Sequence, residues 1–332
     1  FPAAIKTTAE YFPKKDRALA TSLFNAGSSV GALAAPLSVP TLASKFGWEM
    51  AFIIIGALGF IWMFFWIYMY DKPYASKHVN KAELEYINQD EATEKEEEKK
   101  VSIKEEKAIP FLKCFSYKQT WSFIAGKFFT DGVWWFYLFW APAYFSEMGK
   151  SMQTTEGKML VFVLYLIVTV VSIFGGYLPK YFVEKKAMEP YAGRMRAMLI
   201  FAFVPLLALF AQPLQDYSIW FPAIIIGLAG AGHQAWSANI YSTTGDMFPK
   251  STIATITGIG TMAGGIGSYL INMGAGRLFD YAAAQGEAFT FFGFEGKPAG
   301  YMIIFCICAV AYILAWSIMK TLVPKHKPII VE

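Results

Sequence analysis

Long apolar runs broken by short clusters of charge dominate this chain. A helix needs roughly 20 apolar residues to cross a bilayer core. Eight runs of that order lie at about 18–42, 50–70, 119–146, 158–179, 195–214, 218–246, 253–279 and 300–322, and residues 1–11 read as the last part of another. The runs are continuous, whereas strands of a membrane barrel alternate polarity over about ten residues. The pattern predicts an all-α, polytopic membrane protein. Composition agrees, because 16% charged residues against about 25% in a soluble domain leaves too little polar surface to cover a globule in water.

Charge orders the spans. Loops kept in the cytoplasm retain Lys and Arg, and exported loops lose them. Residues 12–18, 71–118, 180–196, Lys250 and the C-terminal Lys320, Lys325 and Lys327 together hold 22 basic residues, while the alternate loops hold 5: Lys45, Lys150, Lys158, Arg277 and Lys297. The first set and the C-terminus are therefore expected in the cytoplasm. Residues 71–118 carry 10 Lys and 11 Asp or Glu and cannot enter a bilayer. Within them, Asn80 followed by Glu83 has the spacing of a capping box opening a short surface helix over Ala82 to Ile87, and Glu94 to Lys100 reads as a solvated charge run.

An internal repeat is visible. Glu10-Tyr11-Phe12-Pro13-Lys14 aligns with Asp246-Met247-Phe248-Pro249-Lys250 at an offset of 236, and Ala18, Thr21 and Gly31 then meet Ala254, Thr257 and Gly267. Both copies cross in the same sense, so they are expected to be parallel and related by an axis along the membrane normal. At this offset, about 118 residues of the second copy, from Gln119 to Trp236, have no first-copy partner. The expectation is a chain lacking three helices and most of a fourth. It divides into 1–70, the remainder of an N-terminal helical bundle; 71–118, a charged cytoplasmic linker; 119–323, a C-terminal six-helix bundle; and 324–332, a cytoplasmic tail.

Several chemistries have no support in the residues. Cys114, Cys306 and Cys308 cannot build a disulfide framework and read as core residues, and no HExxH or CxxC pair or phosphate-binding Gly loop occurs. No metal, cofactor or nucleic-acid partner is expected. No span carries paired carboxylates or a Ser/His/Asp set at matching depth, which disfavours an enzyme.

The chain resembles the major facilitator superfamily, and within it the anion:cation symporter group, especially its bacterial hexuronate transporters. The residues carrying this resemblance are Phe1-Pro2 leading to Glu10 through Ala18, Asn25-Ala26-Gly27-Ser28, Asp131 followed by Trp134 through Pro142, and Gly232-His233-Gln234-Ala235-Trp236-Ser237. The resemblance implies a twelve-helix fold, here without its first three helices and most of the fourth. It implies proton-coupled uptake of an organic anion, a hexuronate, into the cytoplasm across the bacterial inner membrane by a monomer when full length. It also places a proton-binding carboxylate in the segment with no counterpart here.

Candidate chemistry follows from the cost of burying charge in lipid, about 2.5–3.5 kcal/mol at a helix centre, so each charge needs a partner or a wet cavity. Lys127 and Asp131 are spaced i,i+4 and can pair. The pair either neutralises itself, or Lys127 offers its ammonium to an anionic substrate while Asp131 tunes it and couples protons. Resembled proteins commonly have Arg where Lys127 stands, which would weaken a bidentate grip on carboxylate here. Trp134, Trp135 and Tyr137 are candidates for a cavity wall that cannot all face it, and Trp140 and Tyr144 for an interfacial belt.

His233, Gln234, Trp236, Ser237 and Asn239 form a polar strip expected to face a wet path, the alternative being a His that only hydrogen-bonds between helices. His233 either takes part in proton coupling or hydrogen-bonds substrate. Asn25 and Ser28 either contact substrate or sit in a helix whose small residues serve packing. In the resembled superfamily, loops like Gly175 to Lys186 latch one closed state, which suggests gating by Lys180 or Arg194. A rival of another class is a membrane sensor that binds sugar acids without moving them.

Overall fold

The structure is a computed structural model that describes residues 2–89, 108–151, 154–325 and 329. The charge run Glu94 to Lys100 and Lys327 of the tail lie outside the described residues. In chain order the helices are α1 (Pro2–Tyr11), α2 (Arg17–Phe46), α3 (Trp48–Met69), α4 (Lys81–Ile87), α5 (Phe111–Cys114), α6 (Lys118–Glu147), α7 (Thr155–Lys186), α8 (Pro190–Ala202), α9 (Trp220–Met247), α10 (Ile253–Gln285) and α11 (Gly296–Leu322). Each predicted run carries a helix. In the run at 195–214, α8 gives way to a 3₁₀ stretch, Val204–Phe210, where Pro205 lacks the N–H that a continuing α-helix requires.

The departure from helix, among the described residues, is a two-residue hairpin between α10 and α11, Thr290–Phe291 paired antiparallel with Phe294–Glu295. Phe292 and Gly293 both take positive φ (50° and 81°), the backbone of a type I′ turn.

Local signals set the helix ends. The Asn80 side chain accepts from the Glu83 N–H at 2.8 Å and opens α4, as its spacing predicts. Thr154 does the same for α7, accepting from Gly157 N–H at 3.1 Å, with Glu156 in the first turn and Lys185 and Lys186 in the last to complement the helix dipole.

The repeat recurs in the backbone. α1 ends at Tyr11 and α9 at Met247, and α2 starts at Arg17 and α10 at Ile253, each 236 residues apart. The bonds Phe12 N–H to Thr8 O (3.0 Å), Asp16 N–H to Pro13 O (2.9 Å) and Ala20 N–H to Asp16 O (3.0 Å) have counterparts at the same offset: Phe248 to Thr244 (3.0 Å), Thr252 to Pro249 (2.8 Å) and Ile256 to Thr252 (3.1 Å).

Four helical segments are long and apolar enough to cross a membrane by length and composition alone: α3, α7, Pro190–Phe210 and α11. The equally long α2, α6, α9 and α10 do not qualify on composition. They carry buried polar side chains, among them Asn25 of α2, Lys127 and Asp131 of α6, Gln234 and Asn239 of α9 and Thr257 of α10. α6 packs against α10 and α11, α7 against α9, and α2 lies along α7 and α9. At the α2–α7 crossing, a Cβ on Gly176 would sit 2.6 Å from Leu19 Cα and 2.7 Å from Ala18 O, so only glycine allows this approach. The apolar core fills the space among α6 to α11, with large aromatic side chains from α6, α10 and α11 stacked together. Tyr144 belongs to that core and not to an interfacial belt. It is 3% exposed, packs against Tyr301 and Phe305, and donates to Gln215 Oε1 at 3.2 Å. Its height along the span suggested a belt, but its helical face decides its environment.

Candidate functional site

Polar side chains of four helices meet inside the α6–α11 unit. Lys127 and Asp131 stand one turn apart on α6, with Nζ 2.7 Å from Oδ1 and side chains 3% and 12% exposed. The Lys127 ammonium lies 4.1 Å from the ring centroid of Tyr241 on α9, within the range of a cation–π contact. The Asp131 carboxylate fills the place where any Cβ on Gly264 of α10 would stand. The charge pair is thus enclosed by a ring on one side and bare backbone on the other.

Next to it, His233 of α9 stacks on Trp134 of α6, centroids 5.3 Å apart and planes within 8°. Its Nδ1 lies 2.7 Å from the hydroxyl of Tyr312 on α11, and that hydroxyl lies 3.3 Å from Thr130 O on α6. Trp236 meets Tyr312 edge-on at 5.5 Å, and Tyr241 OH is 3.4 Å from Thr261 Oγ1 of α10.

The fold therefore gathers Lys127, Asp131, Trp134, His233 and Trp236 into one cluster. Gln234 and Ser237 are buried on α9 beside it. Asn239 is also buried, but its amide N–H groups go to Gly175 O (3.1 Å) and Ala235 O (2.8 Å), which ties α9 to α7. Tyr137 is buried further along α6, where with Phe136, Tyr301 and Phe305 it lines a cavity of about 10 Å³, no larger than a water needs. Trp135 points to a different face: it is 38% exposed and stacks on Phe139 at 5.3 Å. Asn25 is buried in α2 with neither amide atom hydrogen-bonded among the described residues, and Ser28 is exposed and donates to Asn25 O within its own helix. Neither stands in the cluster's hydrogen-bond network.

Tyr241, Tyr312, Thr130, Thr261 and Gly264 complete the cluster although the sequence does not single them out. Each is a common residue in an apolar stretch, and only its position in space gives it a role. Among the described residues no group of three His, Cys, Asp or Glu side chains is placed to hold a metal.

A second polar network joins helices at the end of the molecule that carries the linker. Lys180 of α7 pairs with Asp16 at the start of α2 (2.6 Å), and Tyr86 of α4 donates to the other Asp16 oxygen. Arg194 of α8 pairs with Asp246 of α9 at 2.5 Å and also reaches Lys14 O, while Arg17 donates to Gly245 O at 2.9 Å. Burial alone would raise the Asp16 carboxyl, but hydrogen bonds from Lys180 and Tyr86 and the positive charges of Lys180 and Lys15 outweigh it and hold the group below the usual carboxylate value. The same hydrogen bond to Asp16, with burial, raises the Tyr86 phenol.

Comparison with known proteins fits this architecture. The chain is similar to the hexuronate transporter of Escherichia coli (strain K12), 29% identical over 285 residues that make up 84% of this chain and 62% of that protein. It is 31% identical to the galacturonate transporter of Dickeya chrysanthemi over 182 residues, 54% of this chain and 50% of that one. Over 322 residues, 95% of this chain, it is 24% identical to the D-galactonate transporter of Escherichia coli O6:H1, covering 70% of it. The chain spans less than two thirds of the length of the first two. Residues 1–271 match the Major Facilitator Superfamily. A parallel repeat expressed in backbone hydrogen bonds, long helices with an inward polar stripe and this match over most of its length have one common source: the chain belongs to the Major Facilitator Superfamily.

Proposed function

We propose that this chain forms part of a secondary active transporter that carries an organic anion, a hexuronate, into a bacterial cell across the inner membrane with one or more protons. The observation that carries the reading is the buried Lys127–Asp131 pair against the Tyr241 ring, on the helix whose Trp134 stacks on His233. An ammonium whose counter-ion is a titratable carboxylate one turn away can exchange that partner for a substrate carboxylate. When Asp131 takes a proton its charge disappears, and the freed Lys127 offers a cation to the anion, while aromatic faces suit the C–H faces of a sugar ring. Proton binding and anion binding then favour each other, as symport requires.

In this reading the linker, its network and the C-terminus are cytoplasmic, the full-length protein is a monomer, and no covalent step occurs. The Asp16–Lys180 pair and the bonds from Arg194 to Lys14 O and from Arg17 to Gly245 O join the two halves on the cytoplasmic side, and they part as the halves rock to expose the site inward. The names of the relatives from Escherichia coli and Dickeya chrysanthemi support a sugar acid as cargo. The test is uptake of radiolabelled glucuronate by the full-length protein in vesicles with an imposed proton gradient. Accumulation that collapses with the gradient supports the proposal. Binding without accumulation would replace it with the sensor reading.

A further inference from the structure

Tyr312 holds two polar neighbours with one proton. Its hydroxyl lies 3.3 Å from Thr130 O, which can only accept, and 2.7 Å from His233 Nδ1, which donates or accepts according to tautomer. A phenol has one O–H to give. If that proton goes to Thr130 O, the contact with His233 requires Nδ1–H to donate to the Tyr312 oxygen. The neutral imidazole then carries its lone pair on Nε2.

His233 Nε2 makes no hydrogen bond among the described residues, although the residue is 3% exposed and its ring is clamped between Trp134 and the edge of Tyr312. Lys127 stands on α6 two turns before Trp134, the ring on which His233 stacks. The cluster thus holds a cation and, in that tautomer, an acceptor that has no partner among the described residues.

We infer that Tyr312 is a positioning residue that sets the Nδ1–H tautomer of His233, so that Nε2 accepts a hydroxyl of the substrate while Lys127 takes its carboxylate. This deepens the transport reading and rests on it. The substrate class becomes hydroxylated carboxylates, separated from carboxylates of similar size that lack a hydroxyl. Recognition of a hydroxyl by a buried acceptor discriminates strongly, because a ligand without it leaves the acceptor unpaired.

Nitrogen-15 NMR of the histidine-labelled full-length protein assigns the side chain of His233 by the signal that is lost in His233→Gln. The expected spectrum shows protonated Nδ1 and bare Nε2, with the Nε2 resonance moving on addition of galacturonate and not of cyclohexanecarboxylate. In Tyr312→Phe the proton is expected to shift toward Nε2. An Nε2–H or doubly protonated ring in the wild type, an unchanged tautomer in Tyr312→Phe, or a response to both acids or to neither would overturn the inference.

Binding of the two acids by the detergent-solubilised protein gives a second readout. Tyr312→Phe is expected to weaken galacturonate binding by about three- to tenfold, the worth of one neutral hydrogen bond, with no change for cyclohexanecarboxylate. His233→Gln, whose amide can place an oxygen near the Nε2 position, is expected to retain more of the preference than His233→Asn. Equal losses for both acids would mean a packing role only and sink the proposal. Failure of uptake alone, with the tautomer and binding preference intact, would count against transport and leave the recognition standing.

Discussion

Position 264 shows how a single absent methyl shapes the site. The Asp131 carboxylate occupies the space of the Gly264 side chain, so Gly264→Ala must push Asp131 off Lys127 or part α6 from α10. Overpacking of this kind costs about 1–3 kcal/mol. Gly264→Ala is expected to lower the unfolding midpoint in detergent and abolish anion uptake. Gly265→Ala, one residue on and with nothing within 4 Å of its Cβ, should do neither.

The ion pair itself separates stability from function. Lys127→Met strands a buried carboxylate and should cost about 3–5 kcal/mol, whereas Lys127→Met with Asp131→Leu removes both charges and should recover most of that loss. Denaturant unfolding checks both statements, and both variants are expected to be inactive in uptake. A double variant that transports would remove the pair from the mechanism.

Among the helices, α4 and α9 represent two ways a sequence encodes an element. The start of α4 is local: Asn80 and Glu83 lie three residues apart, and the cap forms where the spacing puts it. Asn80→Ala is expected to cost about 1 kcal/mol of α4 stability and to expose its amides to hydrogen exchange, loosening the hold of Tyr86 on Asp16. Unchanged exchange in α4 would show that the helix is held by docking alone. In α9 the polar strip was legible as a strip, and the fold buries it. What the strip could not say is how its members divide. Asn239 spends its amide on Gly175 and Ala235, His233 meets Tyr312, and each partner lies on a helix far away in sequence.

At the scale of the molecule, the repeat organises the linker end. Asp16 and Thr252 are equivalent by position, yet Asp16 is gripped by Lys180 and Tyr86, while Thr252 receives the Ile109 N–H at 2.9 Å. The chain therefore uses one backbone turn for an ion pair in one copy and a neutral hydrogen bond in the other. Because the folded Asp16 carboxyl sits below its ordinary value, its contribution to the proposed closure is fully present above about pH 4 and is lost only as pH falls through the depressed value. Cysteine labelling of the linker side should thus show unchanged closure from neutral pH down to that range, and Asp16→Asn should raise labelling at every pH. A fall in closure between pH 7 and 5 in the wild type would assign the latch to another group.

Length and polarity of the runs settled, from sequence alone, that the chain is helical and where its long helices lie, and aligned motifs revealed the repeat; the short α5 and the 3₁₀ break after α8 were not foreseen. Helix formation and bilayer crossing depend on near neighbours and on stretches of some twenty residues, which a sequence displays directly. The i,i+4 pairing of Lys127 with Asp131 was readable for the same reason. Only the tertiary structure decided that Tyr241, Gly264 and Tyr312 join that pair, that Trp135 turns away from it and that Tyr144 lies in the core. Those outcomes depend on which helical faces oppose one another, and side chains from α6, α9, α10 and α11 become neighbours only when the helices pack.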